Sequence, residues 1–384
     1  MENEENIRKE LIRLYLQGMS VSQIGKILNR TRQWAYKWIK RYKSSPASNW
    51  FKDDSKSPKK CPEKISMETE NAIIKIRRKL LENPYHQTGA INILYSMKSV
   101  GMSPPSISTI NRVIKRNDLK NENSVKKQKT TEYPGLFFNS QQMDLIGPRY
   151  LKGGFRYYLY NIIDVDTHYA KVSVVRDKSA QSIVPNLIEF WEEFQIPDFL
   201  QMDNELSFRG SNKYPRGLGL LLRVALSNGV APVFIPTREP WRNGVIEKFN
   251  HNVEKRFLSE IKFSDFDDLS FHAKEFSSFH NEHHRYSAIG NSTPNQSIDP
   301  EEKRYRLLRN IDLKTKILVE EGTLIFIRFI RSDLKLRILG TIFDVNPELK
   351  YSYITAKIIL DKYILVVIRE QIIYHVFNFP MSIP

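Results

Sequence analysis

The chain has 384 residues, with 59 Lys and Arg against 43 Asp and Glu, a formal net charge of +16, and 41% hydrophobic and 11% aromatic residues. That length suits two or three domains, and that apolar content excludes a wholly disordered chain. The charge is unevenly spread: residues 1–130 hold 27 Lys and Arg against 12 Asp and Glu, and the rest hold 32 against 31. The excess that suits a polyanion is therefore N-terminal.

One cysteine, Cys61, excludes an intrachain disulfide and any zinc site built on Cys pairs. The N-terminal MENEENIRKELIR lacks an apolar signal core, and the longest apolar run, Ile364 to Ile368, falls far short of the ~18 residues that span a bilayer. A cytoplasmic, nucleoid-associated protein is expected.

Residues 5–43 read as three short helices. Ile7, Leu11 and Leu14 stripe the first, Ser20 and Gln23 form a capping box for the second, and Thr31 caps the third, RQWAYKWIKRY. A helix, a tight turn and a basic capped helix is a helix-turn-helix pattern, with Ala35, Trp38, Ile39 and Tyr42 inward and Arg32, Gln33, Tyr36, Lys37 and Lys40 outward toward DNA. The bland alternative is a three-helix bundle with a solvated basic face. The Ser-, Pro- and Lys-rich stretch 46–65 reads as a linker. Residues 66–118 repeat the helical plan as a second helix-turn-helix, with Asn111, Arg112, Lys115 and Arg116 on the outer side of its last helix, and 119–134 form another basic linker.

From about 135 to 300 strands and helices alternate, which predicts a mixed α/β layered domain. The strands are expected at LFFNSQQMDLIG, 155–164, 169–177, 198–203 and 231–236. Helices are expected at 179–194, in RGLGLLLRVALSN, from Trp241 to Ile261, and over 265–284. Residues 312–384 hold several short Ile-, Val- and Tyr-rich strands, which predicts a small antiparallel β-barrel.

Three acids fall where strand ends and a helix start bring side chains to one sheet edge: Asp144, Asp203 and Glu247. Carboxylates without Cys or clustered His favour hard cations, Mg²⁺ or Mn²⁺. A pair of such ions activates water or a 3′-hydroxyl and stabilises the leaving oxygen of a phosphodiester. Spacing alone leaves Asp164, Asp166, Asp198 and Glu205 as neighbouring alternatives. His280, His283 and His284 form an HxxHH cluster that lacks a fourth zinc ligand of suitable spacing, so the end of a surface helix is the expected role.

The blocks QQMDLIGP, NIIDVDTHYAKV, FLQMDNELSF, PTREPWRNGVIEKFNHNVEKRF and FHNEHHRYSAIGNSTPNQSI together resemble the retroviral-integrase-like catalytic core of DDE transposases of bacterial insertion sequences. The paired helix-turn-helix front and β-rich tail resemble the same group. The resemblance implies a ribonuclease-H-like core in which Asp144, Asp203 and Glu247 are catalytic and metal-holding. Asp164 is then a non-catalytic acid, and Arg242, Asn243 and Lys248 are DNA contacts. It implies Mg²⁺ or Mn²⁺, as two ions, and a homo-oligomer that synapses element ends on double-stranded DNA, with no membrane. The implied activity is a polynucleotidyl transfer: cleavage at element ends, then strand transfer. A domesticated, non-catalytic regulator is the rival class, and a nuclease acting on RNA–DNA hybrids a second.

Two departures stand out. The family's Asn-Gly after the second acid is Asn204-Glu205 here, and 43 residues separate Asp203 from Glu247, more than the family's usual interval. The excess falls in RGSNKYPRGLG, within 205–230, either a DNA-contacting loop or a neutral insertion.

Overall fold

The computed structural model describes residues 4–44, 49–53, 65–119, 133–134, 137–210, 213–299, 313 and 317–382. Cys61 and most of both expected linkers lie outside the described residues. The chain forms two compact units, Met1–Ile65 and Ser66–Pro384.

The first unit holds α1 (Glu4–Leu16), α2 (Val21–Ile27) and α3 (Arg32–Ser44). Ser20 and Gln23 form the capping box, and Thr31 Oγ1 accepts from Trp34 N at 3.2 Å. Such caps satisfy amides that a helix start otherwise leaves bare, each worth about 1 kcal/mol. Leu11, Ile24, Ala35, Trp38 and Ile39 build the core. Trp50 and Phe51, expected in the linker, pack onto that core. Arg8 explains why: its guanidinium lies 4.0 Å from the Trp38 ring and donates to Phe51 O at 2.7 Å and Asp53 Oδ2 at 3.0 Å.

The second unit opens with α4 (Met67–Glu82), α5 (Ala90–Ser99) and α6 (Ile107–Arg116) around Ile73, Leu80, Ile93, Met97, Ile110 and Val113. The core domain follows in the order β1 (Ser140–Tyr150), β2 (Arg156–Asp164), β3 (Ala170–Val175), α7 (Ala180–Glu193), β4 (Phe199–Met202), α8 (Leu206–Arg209), α9 (Leu220–Ser227), β5 (Ala231–Phe234), α10 (Gly244–Val253), α11 (Phe266–His283) and α12 (Pro294–Ser297). β2 pairs antiparallel with β1 and β3, while β4 and β5 run parallel to β1. Ile183, Leu187 and Phe190 of α7, with Leu221 and Val224 of α9, fill one apolar cluster. Ile246 and Phe249 of α10, with Phe276 of α11, fill a second. The single long helix expected from Trp241 to Ile261 is broken into a 3₁₀ turn at Pro240–Asn243, then α10, then a π-helical turn at Glu254–Leu258.

The tail differs from expectation. β6 (Thr323–Phe329), β7 (Lys335–Ile338), β8 (Thr341–Asp344), β9 (Tyr353–Ile359), β10 (Ile364–Arg369) and β11 (Ile372–Asn378) are antiparallel among themselves, yet they do not close into a barrel. Instead β6 pairs parallel with β5, and one open sheet runs β11-β10-β9-β6-β5-β4-β1-β2-β3, with β7 and β8 as a separate hairpin. The cause lies in β5. Its Val233 and Phe234 are fully buried, and Phe234 stacks on Phe326 at 4.8 Å between ring centroids. Without β6 that short strand would be a bare apolar edge.

Candidate active site

Asp144 lies within β1, paired by backbone with Asn161 of β2. Asp203 follows the last residue of β4, the strand beside β1. Glu247 stands in the first turn of α10. Three amide side chains hold these elements together. Gln142, two residues before Asp144, accepts from the backbone amides of Val245 (3.1 Å) and Ile246 (3.0 Å) through Oε1, capping the helix that carries Glu247. Asn243 Nδ2 donates to Met143 O at 3.2 Å, and Gln201 Nε2 donates to Asn243 Oδ1 at 3.1 Å. β1, β4 and the start of α10 are thus joined through buried hydrogen bonds, which are strong where water is excluded.

Asp144 Oδ1 accepts from Leu145 N at 2.8 Å, and Oδ2 accepts from Asn250 Nδ2 at 2.8 Å. Asn250 is itself oriented by Asn161 Nδ2, which donates to Asn250 Oδ1 at 2.7 Å. Burial, then the negative charges of Asp203 and Glu247, push the Asp144 carboxyl up to about 6 against the pull of those donors. Burial also raises Asp203, whose Oδ1 accepts from Glu205 N at 2.8 Å, while the Lys178 charge pulls it back. Burial raises Glu247. Among the described residues Glu247 makes no hydrogen bond or ion pair, and no three His, Cys, Asp or Glu side chains stand close enough to share an ion. The neighbouring acids are otherwise engaged. Asp164 Oδ1 accepts from the amide and hydroxyl of Thr167, both at 2.8 Å, and Asp166 and Asp198 bind the Asn139 amide and side chain. Glu205 pairs with Lys178 at 2.8 Å.

The expected DNA contacts divide. Arg32, Gln33, Tyr36, Lys37 and Lys40 are all exposed on α3, and Asn111, Arg112, Lys115 and Arg116 on α6. Arg116, however, is bound by both carboxylate oxygens of Glu70. Lys248 is exposed. Asn243 is a buried brace, and Arg242 is held inside the protein: it lies between the rings of Tyr133 (4.1 Å) and Tyr353 (4.7 Å) and pairs with Glu239 at 3.1 Å. The histidine cluster also differs from a surface helix end. His280 and His284 are fully buried with Nδ1 atoms 3.1 Å apart, and only His283 is exposed. His280 Nε2 donates to His168 O at 3.0 Å, tying α11 to the turn between β2 and β3, and His284 Nε2, just past α11, donates to Tyr85 O at 2.6 Å in the turn after α4.

Sequence reasoning missed Gln142, Asn250 and Gln201. The available signal was weak: Asn250 is one helical turn past Glu247, and Gln142 is two strand residues before Asp144, so each shares a face with an acid.

Residues 3–50 match the family described as Homeodomain-like domain, and residues 228–294 match the Integrase core domain. No curated protein matches the chain. Solved structures similar to it include the HTLV-2 integrase catalytic core domain in complex with magnesium in its trimeric form, at 15% identity and a TM-score of 0.31, covering 42% of this chain and 98% of that one. The catalytic core domain of BIV integrase is similar at 12% identity and a TM-score of 0.31, covering 41% of this chain and 91% of that one. Among the described residues no helix is long and apolar enough to cross a membrane.

Proposed function

We propose that this chain, which carries a homeodomain-like domain and an integrase core domain, is a DDE transposase that cleaves the ends of a DNA element and transfers them to target DNA. The helical units at 1–45 and 66–118 read the ends, residues 135–300 carry out the chemistry, and 312–384 complete the core sheet. The observation that carries this reading is the convergence of Asp203 and Glu247 on the ionisation of Asp144. Two carboxylates that raise the charge cost of a third fit a hard divalent cation, Mg²⁺ or Mn²⁺, as their partner. When bound, two such ions supply Lewis acidity to the attacking and leaving oxygens of the phosphodiester. Asp144, Asp203 and Glu247 would be the residues that hold the ions. Asn250 keeps one Asp144 oxygen oriented, and Gln142 keeps the Glu247 helix at its distance from β1. The exposed face of α3 supplies major-groove contacts, with Arg32, Lys37 and Lys40 against phosphates and Gln33 against base edges. Two copies on two ends form the working assembly.

The test is Asp203→Asn. The variant is expected to bind end DNA as the wild type does and to lose cleavage in Mg²⁺; full cleavage by it would overturn the triad. A second reading, a non-catalytic regulator, draws on the absence, among the described residues, of a ready three-ligand cluster. Strand transfer by the wild-type protein decides between the two.

A further inference from the structure

Arg328 belongs to β6, where the tail meets the core sheet, and nothing in the carboxylate chemistry uses it. Its guanidinium is buried. Nη2 donates to Asn204 Oδ1 at 2.7 Å, and Nη1 donates to Ile235 O at 3.0 Å and Ile327 O at 2.8 Å. Asn204 Nδ2 donates to the same Ile235 carbonyl at 2.7 Å, closing a triangle of Arg328, Asn204 and the end of β5. Among the described residues no carboxylate pairs with Arg328. A cation buried among neutral acceptors is costly and persists only where several good hydrogen bonds hold it.

Asn204 directly follows Asp203. On the other side of that turn Glu205 is held by Lys178, and Glu205 N donates to Asp203 Oδ1 at 2.8 Å. The Lys178 pair is half-exposed and water weakens it, so the buried clamp is the firmer of the two. Glu205 has φ −57°, so the turn does not need the glycine found there in the resembling family.

We propose that Arg328 is a positioning residue for Asp203: by clamping Asn204 to β5 it fixes the backbone that carries the second carboxylate. The tail strands therefore complete the metal-holding site. This rests on Asp203 being a metal-holding carboxylate.

The experiment uses the full chain and Mn²⁺, with bound metal read from the loss of the free-ion electron paramagnetic resonance signal. Asn204→Ala removes the acceptor and leaves Arg328 its carbonyls. It is expected to weaken Mn²⁺ binding about tenfold, the usual effect of losing a ligand's outer support. The Mg²⁺ needed for half-maximal cleavage rises by the same factor, with duplex-DNA affinity unchanged. Arg328→Lys, which keeps the charge and a donor, is affected less than Arg328→Met. Wild-type Mn²⁺ affinity in Asn204→Ala overturns the proposal, and does so even where Arg328→Met fails to fold. Wild-type Mn²⁺ affinity in Asp203→Asn overturns instead the assignment on which the proposal rests.

Discussion

Gln142 and Asp144 are two residues apart on β1 and therefore face the same side of the sheet. One grips the start of α10 and the other meets Asn250 from the next turn of that helix. The three acids stand out in the sequence as candidates because each lies in a recognisable block. Asp144 nevertheless sits within β1 and not, as expected, near its end, while Asp203 directly follows β4 and Glu247 stands in the first turn of α10. Asn250 and Arg328 do not stand out, because their partners come from elements far along the chain. The buried histidines are a similar case: HxxHH suggests ligands or a surface, whereas burial decides. His280 is lowered to about 4 by burial, while an unfolded histidine titrates near ~6.5. The unfolded chain therefore takes up a proton first as pH falls. Stability from this residue is full above ~6.5 and lost as pH drops toward 4, on the order of 3 kcal/mol. The melting temperature is expected to fall across that window, and His280→Gln should flatten the slope. Parallel slopes in the two proteins would exclude this role.

At the scale of elements, helix and strand positions followed periodicity and caps, while partnerships did not. Apolar alternation in β6 to β11 reads equally as a closed barrel or an extended sheet, and what decides is the bare edge of β5. The insertion after Asp203 has a partner that spacing did not reveal. Its neck is a crossing of Gly210 and Gly219, where Gly210 has φ +104° and a Cβ would meet the Gly219 backbone at 3.1 Å. Arg216, beyond that neck, donates to Thr341 Oγ1 at 3.1 Å and lies 4.5 Å from the Phe379 ring, while its carbonyl accepts from Ser382 N at 3.0 Å. The loop is a clasp on the tail. Arg216→Ala is expected to loosen that clasp by about 1 kcal/mol. Amide exchange at Ser382 should then be about fivefold faster, with exchange in β1 unchanged; an unaltered Ser382 would show that the clasp lies elsewhere.

At the scale of the whole molecule, charge and folding units do not coincide. Residues 1–65 hold 15 Lys and Arg against 7 Asp and Glu, so the basic excess of the first 130 residues is shared between both units. The first unit has its own apolar core, which makes a 1–65 fragment a fair test of recognition. If Arg32, Lys37 and Lys40 each contact a phosphate, as proposed, the expected salt slope is about −2.7, or about 40-fold weaker binding between 50 and 200 mM salt. A fragment whose duplex affinity ignores salt would remove α3 from the interface. Composition marks the helical front and the β-rich tail, but not the joining of that tail to the core sheet in one unit, because a two-residue strand pairing leaves no mark on composition.

The junction of β5 with β6 also sets an order of events during synthesis. β5 leaves the ribosome some ninety residues before its neighbour exists, so a growing chain holds Asp144, Asp203 and Glu247 long before Arg328 arrives to steady the second of them. The first unit needs none of that later sequence. On the proposed function, recognition thus matures early in translation and catalysis late, and a chain interrupted between the two would carry an address without the means to cut.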